Sequence, residues 1–279
     1  MNSFPHHDLL TALTIGLVTG SFSGAFGIGG GTVSTPLLRL ILNVDPHVAV
    51  GTTMALIIPT ALTASLNYYR KKEIDMSIAR VVVLPAVLGV CAGAVATQYV
   101  HGLFLMLSFA GFVCVAGIDL TFGVVHNLLK KTAEAEKLIP AVENTETEVN
   151  RILTRAAFVR KRNLIILGLS AGFIAGFFGV GAGFIFVPCL MYLFRSSIKT
   201  AFGTSLLVVS AISIPGTITH AALGHVDFAM MMSMMGGSIP GSILGSTLAL
   251  KLKDSWLRRG FGVAMLCVAA ALVSNELMR

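Results

Sequence analysis

Gly24-Ala-Phe-Gly-Ile-Gly-Gly-Gly31 and Gly176-Phe-Phe-Gly-Val-Gly-Ala-Gly183 are the two stretches on which the fold turns. Each lies between apolar runs and is followed by a proline, Pro36 or Pro188. Glycine accepts positive φ and close backbone approach, so an apolar helix can stop and restart at such a cluster. The restart exposes unpaired backbone N–H groups and about half a positive charge at the new N-terminus. In a bilayer those groups must face protein or a wet cavity. The short apolar pieces that follow, about 32–42 and 184–194, therefore read as halves of broken or re-entrant helices. A G-x-G-x-x-G nucleotide loop is excluded, because no predicted strand precedes either run and no acidic residue stands at the required distance.

The rest of the chain is dominated by apolar runs. Of its 279 residues, 55% are hydrophobic and only 12% charged, and its mean hydropathy is +0.84. Soluble domains carry about 25% charged residues, so the bilayer is the expected solvent. Runs long enough to span recur at 9–26, 48–69, 81–100, 103–125, 163–178, 200–223, 228–250 and 260–277. The 29 glycines suit close helix packing in lipid, where no hydrophobic drive brings helices together. The net charge of +7 does not indicate a nucleic-acid partner, since the cations sit at the ends of apolar runs. Cys91, Cys114, Cys189 and Cys267 are scattered, which predicts neither a metal site nor a disulfide framework. No cofactor is expected. The first residues lack the basic region and cleavage site of a signal peptide, so the first apolar segment is expected to be retained.

The two glycine runs are parts of a repeat. An offset of 152 (176 − 24) also pairs Gly16 with Gly168, Pro36 with Pro188, Gly51-Thr52 with Gly203-Thr204, Asp75 with Asp227 and Gly93 with Gly245, without a gap. A charged segment separates the copies, giving a first transmembrane repeat at 1–126, a cytoplasmic linker at 127–162 and a second repeat at 163–279. The loop Arg70-Lys-Lys-Glu73 is basic, whereas its counterpart between His220 and Asp227 has no Lys or Arg. By the positive-inside rule these equivalent loops lie on opposite sides, which predicts inverted topology. The expected fold is thus an all-α integral membrane protein of about 8–10 membrane segments, with glycine-broken helices in two inverted repeats.

Inverted repeats with broken helices predict a secondary transporter with its site near the midplane. Two opposed helix N-termini supply roughly one positive charge together, which suits an anion without a buried Lys or Arg. An intramembrane enzyme would need a nucleophile–base pair or a ligand cluster at matched depth, and none is found. A channel remains an alternative. No Walker motif is present, so ATP is not expected to drive transport.

The runs Gly27-Ile-Gly-Gly-Gly-Thr-Val-Ser-Thr-Pro36-Leu-Leu and Gly179-Val-Gly-Ala-Gly-Phe-Ile-Phe-Val-Pro188-Cys-Leu resemble the signature of the sulfite exporter TauE/SafE family. So do Phe202-Gly-Thr-Ser-Leu206, Pro215-Gly-Thr-Ile-Thr-His220 and Gly224-His-Val-Asp227. The resemblance implies a multi-pass carrier of the inner or plasma membrane that moves sulfite, organosulfonates or related sulfur anions. Export is the expected direction, with import of an anion such as thiosulfate as the alternative. The chain departs from the family pattern at Tyr68, which stands where a histidine is expected, and carries Ala182 opposite Gly30.

The anion is predicted to lie between the two breaks. Backbone N–H groups of Gly27, Gly29, Gly30, Gly31 and Thr32 would face those of Gly179, Gly181, Ala182 and Gly183. Thr52, Asn67, Thr204, Ser205 and His220 would complete the shell, although the hydroxyls can equally bond to the backbone one turn back. Asp119, in an apolar run, and His220, which can titrate near neutral pH, are the candidates for proton coupling. Snorkelling to the interface is the other reading of Asp119. Asp75 and Asp227 read as helix caps.

Overall fold

The computed structural model describes residues 6–122 and 146–277. Among these residues there are ten α-helices and no strand. The first five are α1 His6–Phe26, α2 Gly31–Ile41, α3 Pro46–Arg70, α4 Met76–Thr97 and α5 Gly102–Phe122. The second five are α6 Glu146–Phe178, α7 Gly183–Leu193, α8 Ile198–Ala222, α9 Phe228–Lys251 and α10 Asp254–Leu277. The repeat offset is written into these boundaries. α7 and α8 start and end 152 residues after α2 and α3, and α9 and α10 start 152 residues after α4 and α5 (183 − 31, 198 − 46, 228 − 76, 254 − 102). The last part of the predicted linker is helical and continuous with the first span of the second half, in α6. The rest of the linker lies outside the described residues.

Six helices, α1, α3, α4, α6, α8 and α10, contain stretches long and apolar enough to cross a membrane. α9, read from the sequence as a span, is 24 residues long but is not among them. Its serines and glycines dilute its apolar character. The half-helices α2 and α7 are 11 residues each, as the glycine runs predict. The outward faces are apolar: Leu84, Leu88, Ile218 and Leu244 are each more than 60% exposed. That exterior fits lipid, not water.

Helices from opposite halves interleave. α1 packs along α9, and its counterpart α6 packs along α4. Glycine makes both pairings possible. A Cβ on Gly20 would overlap the Ser238 carbonyl, and one on the equivalent Gly172 would overlap the Ala86 carbonyl. Backbones this close gain dispersion along the whole seam, which replaces the missing hydrophobic drive. α3 and α8 form the central pair, and α5 packs on α10.

Candidate functional site

The two breaks meet at the centre. Gly27, Gly29 and Gly30 carry φ of 71°, 76° and 89°; Gly179, Gly181 and Ala182 carry 67°, 77° and 54°. These left-handed residues turn the chain out of α1 and α6 and restart it as α2 and α7. A Cβ on Gly31 would come within 2.5 Å of Val180 Cα, and one on Gly183 within 2.5 Å of Ile28 Cα. Each half-helix thus begins against the break of the other repeat. Ile57 and Val209, themselves repeat equivalents, press on both Gly29 and Gly181, and both are buried.

Neither half-helix has a side-chain cap. The first N–H groups tied back are those of Val33 and Ser34, which donate to Gly30 O at 3.1 and 3.0 Å. At α7 they are those of Ile185 and Phe186, which donate to Ala182 O at 2.9 Å each. The N–H groups of the first two residues of each half-helix therefore stay outside the helical ladder, and they point along the helix axis at the junction.

The predicted shell residues divide by task. Tyr68 Oη donates to Gly24 O at 3.1 Å, and His220 Nε2 lies 2.9 Å from Gly176 O, which requires the proton on Nε2. These equivalent side chains bind carbonyls left over at the ends of α1 and α6. The substitution of tyrosine for the expected histidine therefore preserves one hydrogen bond. Thr52 Oγ1 accepts from the Asp227 N–H, and Thr204 Oγ1 accepts from the Asp75 N–H, both at 2.9 Å. Neither hydroxyl follows the back-bonding alternative read from the sequence; each reaches across to a loop in the opposite half. Asp75 and Asp227 are caps as expected, accepting from Ser77, Ile78 and Met230 N–H groups. Ser205 donates to Gly27 O at 3.0 Å, directly at the first break. Asn67 donates to Ser246 on α9 at 2.8 Å, near the end of α1 rather than at the junction. Asp119 lies in α5, and its side chain is outside the described residues.

Two features escape the sequence reading. The rings of His47, in the first turn of α3, His225, in a loop, and His220, at the second break, are successive neighbours, with centroids 5.2 and 5.8 Å apart. Burial holds His225 in that loop below the ordinary histidine pKa; His47 adds to the effect and Asp45 opposes it. His47 is remote in sequence from the other two, so only the fold brings it to them. The second feature is a set of buried hydroxyls on α1 and α2. Thr19 and Ser23, and Thr32 and Thr35, have the spacing of one helix face. That spacing was the available signal. Among the described residues, no three His, Cys, Asp or Glu side chains are grouped to hold a metal.

Comparison with known proteins agrees with the architecture. A probable membrane transporter protein of Xylella fastidiosa (strain 9a5c) is 27% identical over 269 residues, covering 95% of each chain. The probable membrane transporter protein YunE of Bacillus subtilis is 24% identical over 268 residues, covering 94% of this chain and 96% of its own. YdhB of the same bacterium, also a probable membrane transporter protein, is 26% identical over 227 residues, 81% of this chain and 84% of its own. No solved structure gives a significant match. The family described as Sulfite exporter TauE/SafE matches residues 12–272. A helical, multi-pass chain matched over nearly its whole length, with its glycine breaks inside the match, belongs to the sulfite exporter TauE/SafE family of membrane transporters.

Proposed function

We propose that this protein is a secondary carrier that exports a small sulfur-containing oxyanion, sulfite or an organosulfonate, by alternating access. The observation that carries the reading is the meeting of two uncapped half-helix N-termini in the protein core. Unpaired N–H groups at fixed geometry favour an anion, and the two helix ends add about one positive charge. No lysine or arginine is needed, so the anion is held without a permanent ion pair and can leave. The equivalent loops around Arg70–Glu73 and His220–Asp227 lie on opposite sides of the membrane in this reading. Thr52 and Thr204 then brace those two loops, while Ser205 sets the first break. His220 is the proton-exchanging residue, because its buried Nδ1 makes no hydrogen bond within the protein and two further rings lead to it.

Purified protein in liposomes should show saturable flux of sulfite, sulfoacetate or taurine, competed by its own substrate and not by simple carboxylates. Thiosulfate and sulfate complete the panel. Flux of no oxyanion on the panel would overturn the reading, and unsaturable conductance would make the protein a channel. His220→Gln should abolish uptake driven by a pH gradient yet leave anion exchange at equal pH largely intact. Unchanged gradient-driven uptake would remove His220 from the coupling.

A further inference from the structure

The two breaks are equivalent in backbone and opposite in lining. Thr19, Ser23, Thr32 and Thr35 are each at most 1% exposed, and none of their hydroxyls makes a hydrogen bond within the protein. The usual fate of a hydroxyl in an apolar helix is a bond to the carbonyl one turn back. Thr60, Thr63, Thr97, Ser213 and Ser246 of this chain all make it. The four hydroxyls at the first break do not. Thr19 and Ser23 flank the start of α2: a Cβ on Gly30, its N-cap, would lie 3.0 Å from Thr19 Cγ2 and 3.6 Å from Ser23 Oγ. Thr32 stands in the first turn of α2, and Thr35 one turn on along the same face.

At the offset of 152 (183 − 31), the counterparts of these four are Ala171, Ala175, Phe184 and Val187, all buried and all apolar. Phe184 sits edge-on to Phe112, with ring centroids 5.2 Å apart, beside the start of α7. The positions equivalent to this ring pair are Thr32 and Ala264, far smaller side chains. The contrast continues along the partner helices. Buried Ser238, Ser242 and Ser246 of α9 correspond to Ala86, Val90 and Ala94 of α4. At these matched positions α1, α2 and α9 present small polar side chains where α6, α7 and α4 present apolar ones, while α8 keeps buried hydroxyls of its own, Thr217 among them.

We propose that the anion binds at the α2 break alone, with the hydroxyls of Thr19, Ser23, Thr32 and Thr35 as its side-chain donors. The α7 break is then a closed structural counterpart, sealed by Phe184. This narrows the carrier reading above and rests on it. A buried hydroxyl without a partner costs free energy, and an oxyanion with several acceptor oxygens supplies the missing partners. Neutral donors also suit a family of oxyanions that differ in substituent, because they bind the oxygens and not the rest of the molecule. Ser34, the remaining hydroxyl of α2, bonds to Gly30 O and to Thr53 and is excluded from the set.

The test uses the full chain, with radiolabelled sulfite flux in liposomes and thermal unfolding in detergent without added anion. Thr19→Val, Ser23→Ala, Thr32→Val and Thr35→Val keep shape and remove one donor each. Each should raise the sulfite concentration for half-maximal flux at least tenfold while the unfolding temperature holds or rises. Val187→Ala, at the other break, should leave that concentration within twofold even where it lowers the unfolding temperature. Unchanged half-saturation in the four hydroxyl variants would overturn the one-sided site and leave the carrier reading standing. Equal loss from the variants at both breaks would restore a two-sided site. A fall in unfolding temperature in all four would show that the hydroxyls have protein partners, and would also overturn the proposal. Wild-type protein that moves no oxyanion would overturn the carrier reading and this inference with it.

Discussion

Lys72 occupies a position that its repeat equivalent fills with glycine. Its φ is 60°, against 74° at Gly224 (224 − 72 = 152). Left-handed backbone costs an L-residue about 1–2 kcal/mol, and glycine gives back roughly 0.5–1 kcal/mol as chain entropy. Lys72→Gly should therefore stabilise the protein by about 0.5–1 kcal/mol, read as a rise in unfolding temperature. Gly224→Ala should destabilise by a similar amount. Nothing lies within 4 Å of a Cβ at Gly224, so the loss would come from φ alone. The lysine tolerates this strain in the basic loop that the topology reading needs. At this scale the sequence exposed the breaks well, because glycine at fixed offset has few other uses. It hid the hydrogen bonds of Tyr68 and His220, since a phenol and an imidazole give no hint of which carbonyl they reach. It also hid the cross-half bonds of Thr52 and Thr204, which join residues 175 and 129 positions apart.

Between elements, the caps of α4 and α9 are three-part devices: an aspartate side chain holds the first turn, and a threonine from the opposite half holds the aspartate's own N–H. Thr52→Val would leave the Asp227 N–H without its acceptor, at a cost of about 1–3 kcal/mol. Thr204→Val should cost a similar amount through Asp75. Both losses should appear in unfolding temperature, with the concentration of sulfite for half-maximal flux unchanged. A raised half-saturation with unchanged stability would instead make these threonines ligands. Element boundaries were largely legible, because apolar runs and prolines mark spans directly. α6 and α10 were the exceptions. Their first turns are charged, and a helix that leaves the membrane loses the apolar signal without losing its hydrogen bonds.

For the whole molecule, membrane character was legible from composition, and duplication from the ungapped offset. The interleaving of the halves was not. Pairing of α1 with α9 and of α6 with α4 depends on which glycine faces meet, and periodicity cannot say which of several small faces is the partner. Orientation in the bilayer has a direct check. In a background lacking Cys91, Cys114, Cys189 and Cys267, Lys71→Cys and Ala222→Cys should react with an impermeant thiol reagent from opposite sides of the membrane. Reaction from one side would remove the inverted arrangement.

The exchanged packing of α1 and α6 bears on how the chain is made. When the first half leaves the ribosome, the glycine face of α4 has no α6 to close it, and α1 has no α9. The α4–α6 seam can zip only after Phe178 has been added and the α1–α9 seam only after Lys251, so the early half waits in the bilayer as an incomplete shell. The same geometry describes an ancestor. A single repeat could close both seams only by lending its first helix to a second copy, as in a domain-swapped dimer, and fusion of the two genes would have made that loan permanent.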